Sequence, residues 1–272
     1  MKFKSGVLTM FGLLMFIAAL FIIWLYITSG VAIGFFATLI FLTVLYIKKF
    51  TSLCMIFAYR NYAKGEKCKS LNWFERGFKH GMNVKQKVTY AYYLLREGKT
   101  DKSEEVLSSV LGFGKASMEE KYLAKSHHAL VLMKTGREQE ALEELLEIFP
   151  NYKNSTIYGS IGYLYIVLGD IKKAEEFNLE AIEYNSDDAV ILDNMVQLYN
   201  LKGDRETAFS YAEKVMKKNP SFIEAYYNAA LAAKAAGKAE LAREYLERTE
   251  GMETTFLSNV SHEDINKLLG EL

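Results

Sequence analysis

Two patterns of apolar residues divide the chain. From Ser5 to Ile47 there are 43 residues without a charged side chain. Beyond that run, apolar residues recur at i, i+3, i+4 and i+7, the spacing of helices with one face turned to a core. Within 155–188, Tyr158, Ile161, Tyr165 and Leu168 form one such stripe. Gly169 follows where that helix must end, since glycine takes the left-handed conformation many helix C-termini need. Asp170 then offers an N-cap for a second helix. Gly162 and Ala174 are small, which lets the two helices cross closely. The pattern predicts an all-α chain of helix pairs behind an apolar leader segment.

The pair recurs. Gly169, Gly203 and Gly237 stand 34 residues apart, and five residues after each comes Ala174, Ala208 or Ala242. Gly136 with Ala141, Gly98 with Ser103 and Gly65 with Ser70 carry the series back at intervals of 33, 38 and 33. A period of this length is the signature of stacked repeats, in which one hairpin cannot bury its own apolar face. Ser117 with Glu120 and Ser221 with Glu224 fit capping boxes. The first explains the longer interval, because its helix starts early. Ser261 to Asp264 can start a short amphipathic helix with Ile265, Leu268 and Leu269 on one side, a lid for the last repeat.

With these residues the chain resembles the tetratricopeptide repeat family. The family's pattern appears as Tyr158, Ile161, Gly162, Tyr165, Gly169, Ala174 and Ala181 in 155–188. It recurs as Leu192, Met195, Tyr199, Gly203, Ala208, Val215 and Pro220 in 189–222, and as Tyr226, Ala229, Ala230, Ala233, Gly237, Ala242 and Leu246 in 223–250. Units at 84–121 and 122–154 fit less closely, with Ser103 in the alanine position and His127 and His128 at an apolar-small step; 51–83 is the most degenerate. The resemblance implies an α-solenoid of five to six helix pairs, with the array proper at 84–250 and a capping helix in 251–272.

It also implies a concave groove lined by the second, fifth, sixth, ninth and twelfth residues of each unit. Tyr92, Tyr163, Asn194, Gln197, Tyr227 and Asn228 are the candidate partner-binding residues there. Asn194 and Asn228 could hydrogen-bond the backbone of a peptide, and the tyrosines could supply rigid contact area. For each tyrosine, core packing is the competing reading. The lysines of the family's carboxylate-clamp pattern are missing from these positions, so recognition of a chaperone's C-terminal carboxylate is not expected.

The uncharged run is about twice the roughly 20 residues that span a bilayer. It reads as a transmembrane hairpin over 1–50, with spans at about 6–27 and 31–48 broken at Thr28-Ser29-Gly30. A cleaved signal peptide would be far shorter. One span plus a re-entrant piece is the other alternative. Lys2 and Lys4 before the run and Lys48 and Lys49 after it place both termini in the cytoplasm by the positive-inside rule, and the chain in the cell membrane. Gly30 and Gly34 form a G-x-x-x-G, although Gly30 is more simply the turn.

Charge sharpens this division. The formal net charge is zero, but residues 48–87 carry ten Lys and Arg against Glu66 and Glu75, a local +8. Lys48, Lys49, Arg60 and Lys64 are the candidate contacts to anionic lipid; a solvated helix face is the competing reading. The acidic remainder makes nucleic acid a poor partner. Cys54 and Cys68 have no metal-ligand spacing, and the adjacent His127 and His128 point in different directions on a helix. No phosphate loop, H-E-x-x-H or G-x-S-x-G occurs, so neither catalysis, a cofactor nor a metal is expected. The expected function is a membrane-anchored scaffold that binds protein or peptide partners in its groove. The alternative is an assembly or quality-control factor for membrane or envelope components, whose transmembrane hairpin holds the client.

Overall fold

The computed structural model describes residues 3–112 and 116–272; the side chains before Met15 and that of Lys48 lie outside the description, and Lys2 and Lys4 fall there too. Every regular element among the described residues is a helix, and the chain divides into two compact units, 1–82 and 83–272.

The first unit holds α1 (Phe3–Thr28), α2 (Val31–Ala63) and α3 (Lys67–Lys79). Gly30 joins α1 to α2 at φ 89°, a conformation open to glycine. Gly34 receives the Tyr26 ring so closely that a Cβ there would lie 2.4 Å from its Cγ. Among the described side chains from Met15 to Ile47 most apolar ones are exposed, as at Ile27 (78 % exposed), Val31 (76 %) and Ile47 (67 %). Among the described residues no single helix is long and apolar enough to cross a membrane. The limbs Val31–Ile47 and Lys49–Ala63 together have the length and composition, but a 57° bend separates them. The second apolar segment and the helix that follows it are one bent helix. It turns at the first lysines and continues to Ala63.

The limb beyond the bend pairs with α3. Cys54, Ala58 and Phe74 are fully buried between them, and the Ser70 hydroxyl donates to the Ala58 carbonyl at 2.8 Å. This junction has the same chemistry as the next pair, where Ser103 donates to Ala91 at 2.8 Å.

The second unit stacks five helix pairs: α4 (Val84–Arg96) with α5 (Thr100–Leu111), α6 (Met118–Lys134) with α7 (Glu138–Ile148), α8 (Ser155–Val167) with α9 (Ile171–Tyr184), α10 (Ala189–Lys202) with α11 (Arg205–Met216), and α12 (Ile223–Ala235) with α13 (Ala239–Glu247). Gly98, Gly136, Gly169, Gly203 and Gly237 all take positive φ between 70° and 76° at the intra-pair turns. Asp170 and Asp204 cap the helices that follow, accepting from Lys173 N and Thr207 N. The capping box at Ser117 forms, and α6 is accordingly the longest helix of the unit at 17 residues. The one expected at Ser221 does not form. Phe222 is the N-cap of α12, and the Glu224 carboxylate is bonded instead to the backbone of Asn259.

Apolar side chains from successive pairs share their cores. Leu145, Ile148, Ile157, Ile161 and Leu198 pack in one cluster, and Leu192, Val215, Ala229, Leu246 and Ile265 in another. The second includes α14 (His262–Gly270), whose Ile265 and Leu268 are buried against the last pair. Ser261 and Asp264 form its capping box.

Gly162 is small for a reason specific to this packing. A Cβ there would lie 2.2 Å from Asn178 Oδ1, so its close neighbour is the buried amide of α9 rather than Ala174. Gly162→Ala should therefore destabilise the full-length protein by about 1–3 kcal/mol in urea titrations in detergent. Gly270→Ala, on a helix surface with nothing within 4 Å of the new Cβ, should be neutral or stabilising. Equal effects at the two positions would contradict this packing.

Candidate functional site: the groove of the second unit

The first helices of consecutive pairs meet through small residues and amides. Asn194 Nδ2 donates to the Gly159 carbonyl at 2.8 Å and to Asn178 Oδ1 at 3.2 Å, joining α10 to α8 and α9. Asn228 Nδ2 donates to Asp193 Oδ1 and Oδ2 at 3.1 and 3.2 Å, joining α12 to α10. Asn200 Nδ2 donates to the Asn228 carbonyl. The two candidate asparagines thus lie in the wall with their amide nitrogens turned to the neighbouring pair. A buried N–H needs a partner, and here the next helix supplies it.

In front of this wall is a hollow of about 430 Å³. Among the described residues its helical lining comes from α6, α8, α10 and α12, and includes Tyr163, Asn194, Gln197, Tyr227 and Asn228. Tyr92 is not in it. It lines an adjoining hollow of about 320 Å³ with Arg96, Phe222 and Glu224. Five of the six candidate groove residues are therefore brought together, and the sixth stands next door.

Apolar surface in the main hollow comes from Leu130, Met133, Val190, Phe222 and Tyr227. One lysine and two carboxyl groups stand among it: Lys134, Asp193 and Glu224. Burial pushes the Asp193 carboxyl up to about 7, helped by the Glu224 charge and opposed by the Asn228 hydrogen bond. Burial lowers the Lys134 ammonium, and Glu224 works against that shift. Burial also raises the Tyr163 hydroxyl. Val190 and Glu224 occupy the second position of their units, so the repeat register could have found them. Lys134 falls one residue past the twelfth position and escaped it.

The groove also contains part of the chain itself. Leu257, Asn259 and Val260, from the segment between α13 and α14, line the main hollow. Asn259 N–H donates to Glu224 Oε1 at 2.6 Å, and its Nδ2 donates to the Tyr163 hydroxyl at 2.8 Å. Lys134 Nζ donates to Asn259 Oδ1 and, at 3.5 Å, to the Ser258 carbonyl. Nothing in the periodicity marks this polar stretch as more than a connection.

His127 and His128 point apart. His128 sits 2.6 Å from Glu144 and 3.4 Å from Glu104, and the bond to Glu144 raises its pKa. His127 bonds to the Leu123 carbonyl, and burial lowers its pKa. Among the described residues no group of three or more His, Cys, Asp or Glu is placed to hold a metal ion. Of the candidate lipid contacts in the first unit, Lys49 and Arg60 are exposed on the limb of α2 beyond the bend, and Lys64 is exposed at its C-cap. The neighbouring Arg76 guanidinium lies 4.8 Å over Trp73, which stacks on Phe57.

Stacked helix hairpins with a groove on the side of the first helices define a tetratricopeptide-type α-solenoid. Residues 155–188 match the family model described as tetratricopeptide repeat. No curated protein matches the chain. Among solved structures, the chain is similar to PilW, a widely conserved type IV pilus biogenesis factor, at 15 % identity and TM-score 0.59, covering 74 % of this chain and 93 % of that one. It is also similar to Pseudomonas aeruginosa PilF at 13 % and 0.58, covering 83 % and 99 %, and to a tetratricopeptide repeat protein of Parabacteroides merdae at 15 % and 0.54, covering 81 % and 97 %. At these identities the likeness is one of fold.

Asp193 makes the stability of this unit depend on pH. The folded state keeps its proton up to about pH 7, whereas an unfolded aspartate releases it near pH 4. This contribution is complete below the unfolded value and is lost as pH rises through about 7. Asp193→Asn keeps an acceptor for Asn228 and removes the titration. Its melting temperature should exceed that of the wild type by several degrees at pH 8, with the gap closing toward pH 5. A gap independent of pH would count against a buried, proton-holding carboxyl.

Proposed function

We propose that this chain is a membrane-anchored, non-catalytic scaffold that binds a segment of a partner protein in the groove of its second unit. One observation carries the reading: a partly apolar hollow of about 430 Å³, fringed by donors and acceptors, is bordered by a turned piece of the chain's own polypeptide that the groove side chains already hold. A surface that satisfies a backbone N–H, a carboxamide and flanking aliphatic side chains has the chemistry of peptide recognition. Tyr163, Gln197 and Tyr227 serve as its contact residues, Asn194 and Asn228 keep its wall in register, and Tyr92 extends it toward α4.

The anchor in this proposal is α1 with the first limb of α2. The uncharged run and the exposed apolar side chains described between Met15 and Ile47 support it, since so much exposed hydrocarbon is costly in water. The flanking lysines support termini on the cytoplasmic side. Lys48, Lys49, Arg60 and Lys64 would then meet the anionic inner leaflet.

Photo-cross-linking in whole cells from position 197 should capture a discrete partner. The same cross-linker at Leu179, exposed on the outer face of α9, should not. Tyr163→Ala should weaken capture at least about tenfold if the ring is a true contact. Protease added outside intact cells should leave 83–272 uncut. Equal capture from both positions would refute the groove, and external digestion would refute the topology.

A further inference from the structure

The 14 residues 248–261 between α13 and α14 take an indirect route. Connections between packed helices usually need two to eight residues. Instead of turning back at once, this segment crosses the groove as far as the first pair of the unit. Phe256 N–H donates to the Arg96 carbonyl at 3.2 Å, and the Phe256 ring lies 3.4 Å from where a Cβ on Gly98 would sit. Glu253 pairs with Arg96 at 3.5 Å. The return leg carries Leu257 and Val260 along the apolar lining. Between them Asn259 is held from three helices, by Lys134 of α6, Tyr163 of α8 and Glu224 of α12. Phe256 is 43 % exposed, and the segment's own bracing is a single turn, in which Ser258 N–H donates to the Thr255 carbonyl at 2.9 Å.

These contacts are those a groove makes with a peptide: backbone and side chain of one polar residue read together, with an aliphatic residue two positions before it and another directly after. Glu224 forgoes its place in a capping box to make one of them. We propose that residues 253–260 are a tethered occupant of the groove, and that the partner is a peptide of the same chemistry. That peptide is an asparagine with aliphatic residues two positions before and one position after it, as Leu257 and Val260 stand about Asn259, and it binds by displacing the strap. This deepens the peptide-binding reading and rests on it. The strap raises the affinity threshold a partner must cross, because a tethered segment competes at roughly millimolar effective concentration.

The test uses full-length protein in detergent and a fluorescein-labelled peptide with the sequence of residues 252–261. One variant replaces 253–260 with alternating Gly and Ser at the same length. A second carries only Leu257→Gly and Asn259→Gly, in case the first disturbs folding. By fluorescence anisotropy, both should bind the peptide at least about tenfold more tightly than wild type. Tyr163→Phe with Glu224→Ala, added to either variant, should remove the gain. Equal affinity of wild type and both variants overturns the proposal, as does a gain that survives the Tyr163 and Glu224 changes. Cross-linking from position 197 reports on the groove separately. Partner capture without any gain from opening the strap sinks the strap alone; no capture and no peptide binding by any form sinks both.

Discussion

A two-helix hairpin of this length buries one face of each helix and leaves the other bare. In 83–272 that bare surface is covered by the next pair, so the cores run on from Leu145 and Ile157 through Leu198 and from Leu192 to Ile265 without a repeat that closes on itself. The close approach this demands is set by glycine and alanine. Gly159 sits against Val190, Gly162 against Asn178, and Ala174, Ala208 and Ala242 are fully buried. Close approach brings backbone carbonyls under the neighbouring helix, where water cannot reach them. The row of asparagines answers that need, bonding Gly159, Gly162 and Asn228 carbonyls from adjacent helices.

The groove follows from the same stacking. The first helices stand side by side, and residues that do not reach the shared core face the hollow. The polar groups there are few and mutually dependent. Glu224 raises the cost of ionising Asp193 while offsetting the cost of a charged Lys134. Both Lys134 and Glu224 bind the chain's own strap, so its occupancy and the local charge balance are one property of the site.

How much was legible depends on how local each cause is. The turn glycines could be read because a left-handed residue after a helix is required by that helix alone, and Gly98 through Gly237 all have positive φ. Asp170, Ser117 and Ser261 cap as their immediate neighbours imply. Gly162 was readable as small, but its neighbour is Asn178 because side-chain packing across the pair decided it. Ser221 looked like a cap from four residues, yet a residue 35 positions beyond Glu224 took the carboxylate. Ser70 and Ser103 looked like departures from an alanine position, and prove to be buried donors to carbonyls 12 residues back. The strap could not be read at all, because a loop seated by long-range hydrogen bonds leaves no period behind.

One mechanical consequence concerns the link between Phe256 and Arg96. A stack in which each pair touches only its neighbours bends and stretches like a coil spring, its compliance growing with every added turn. A tie from the last turn to the first short-circuits that compliance. With the tie made, small rotations at successive joints can no longer accumulate. With it broken, the same joints are free to unwind together, so the pitch of the coil becomes a variable that a single short loop controls.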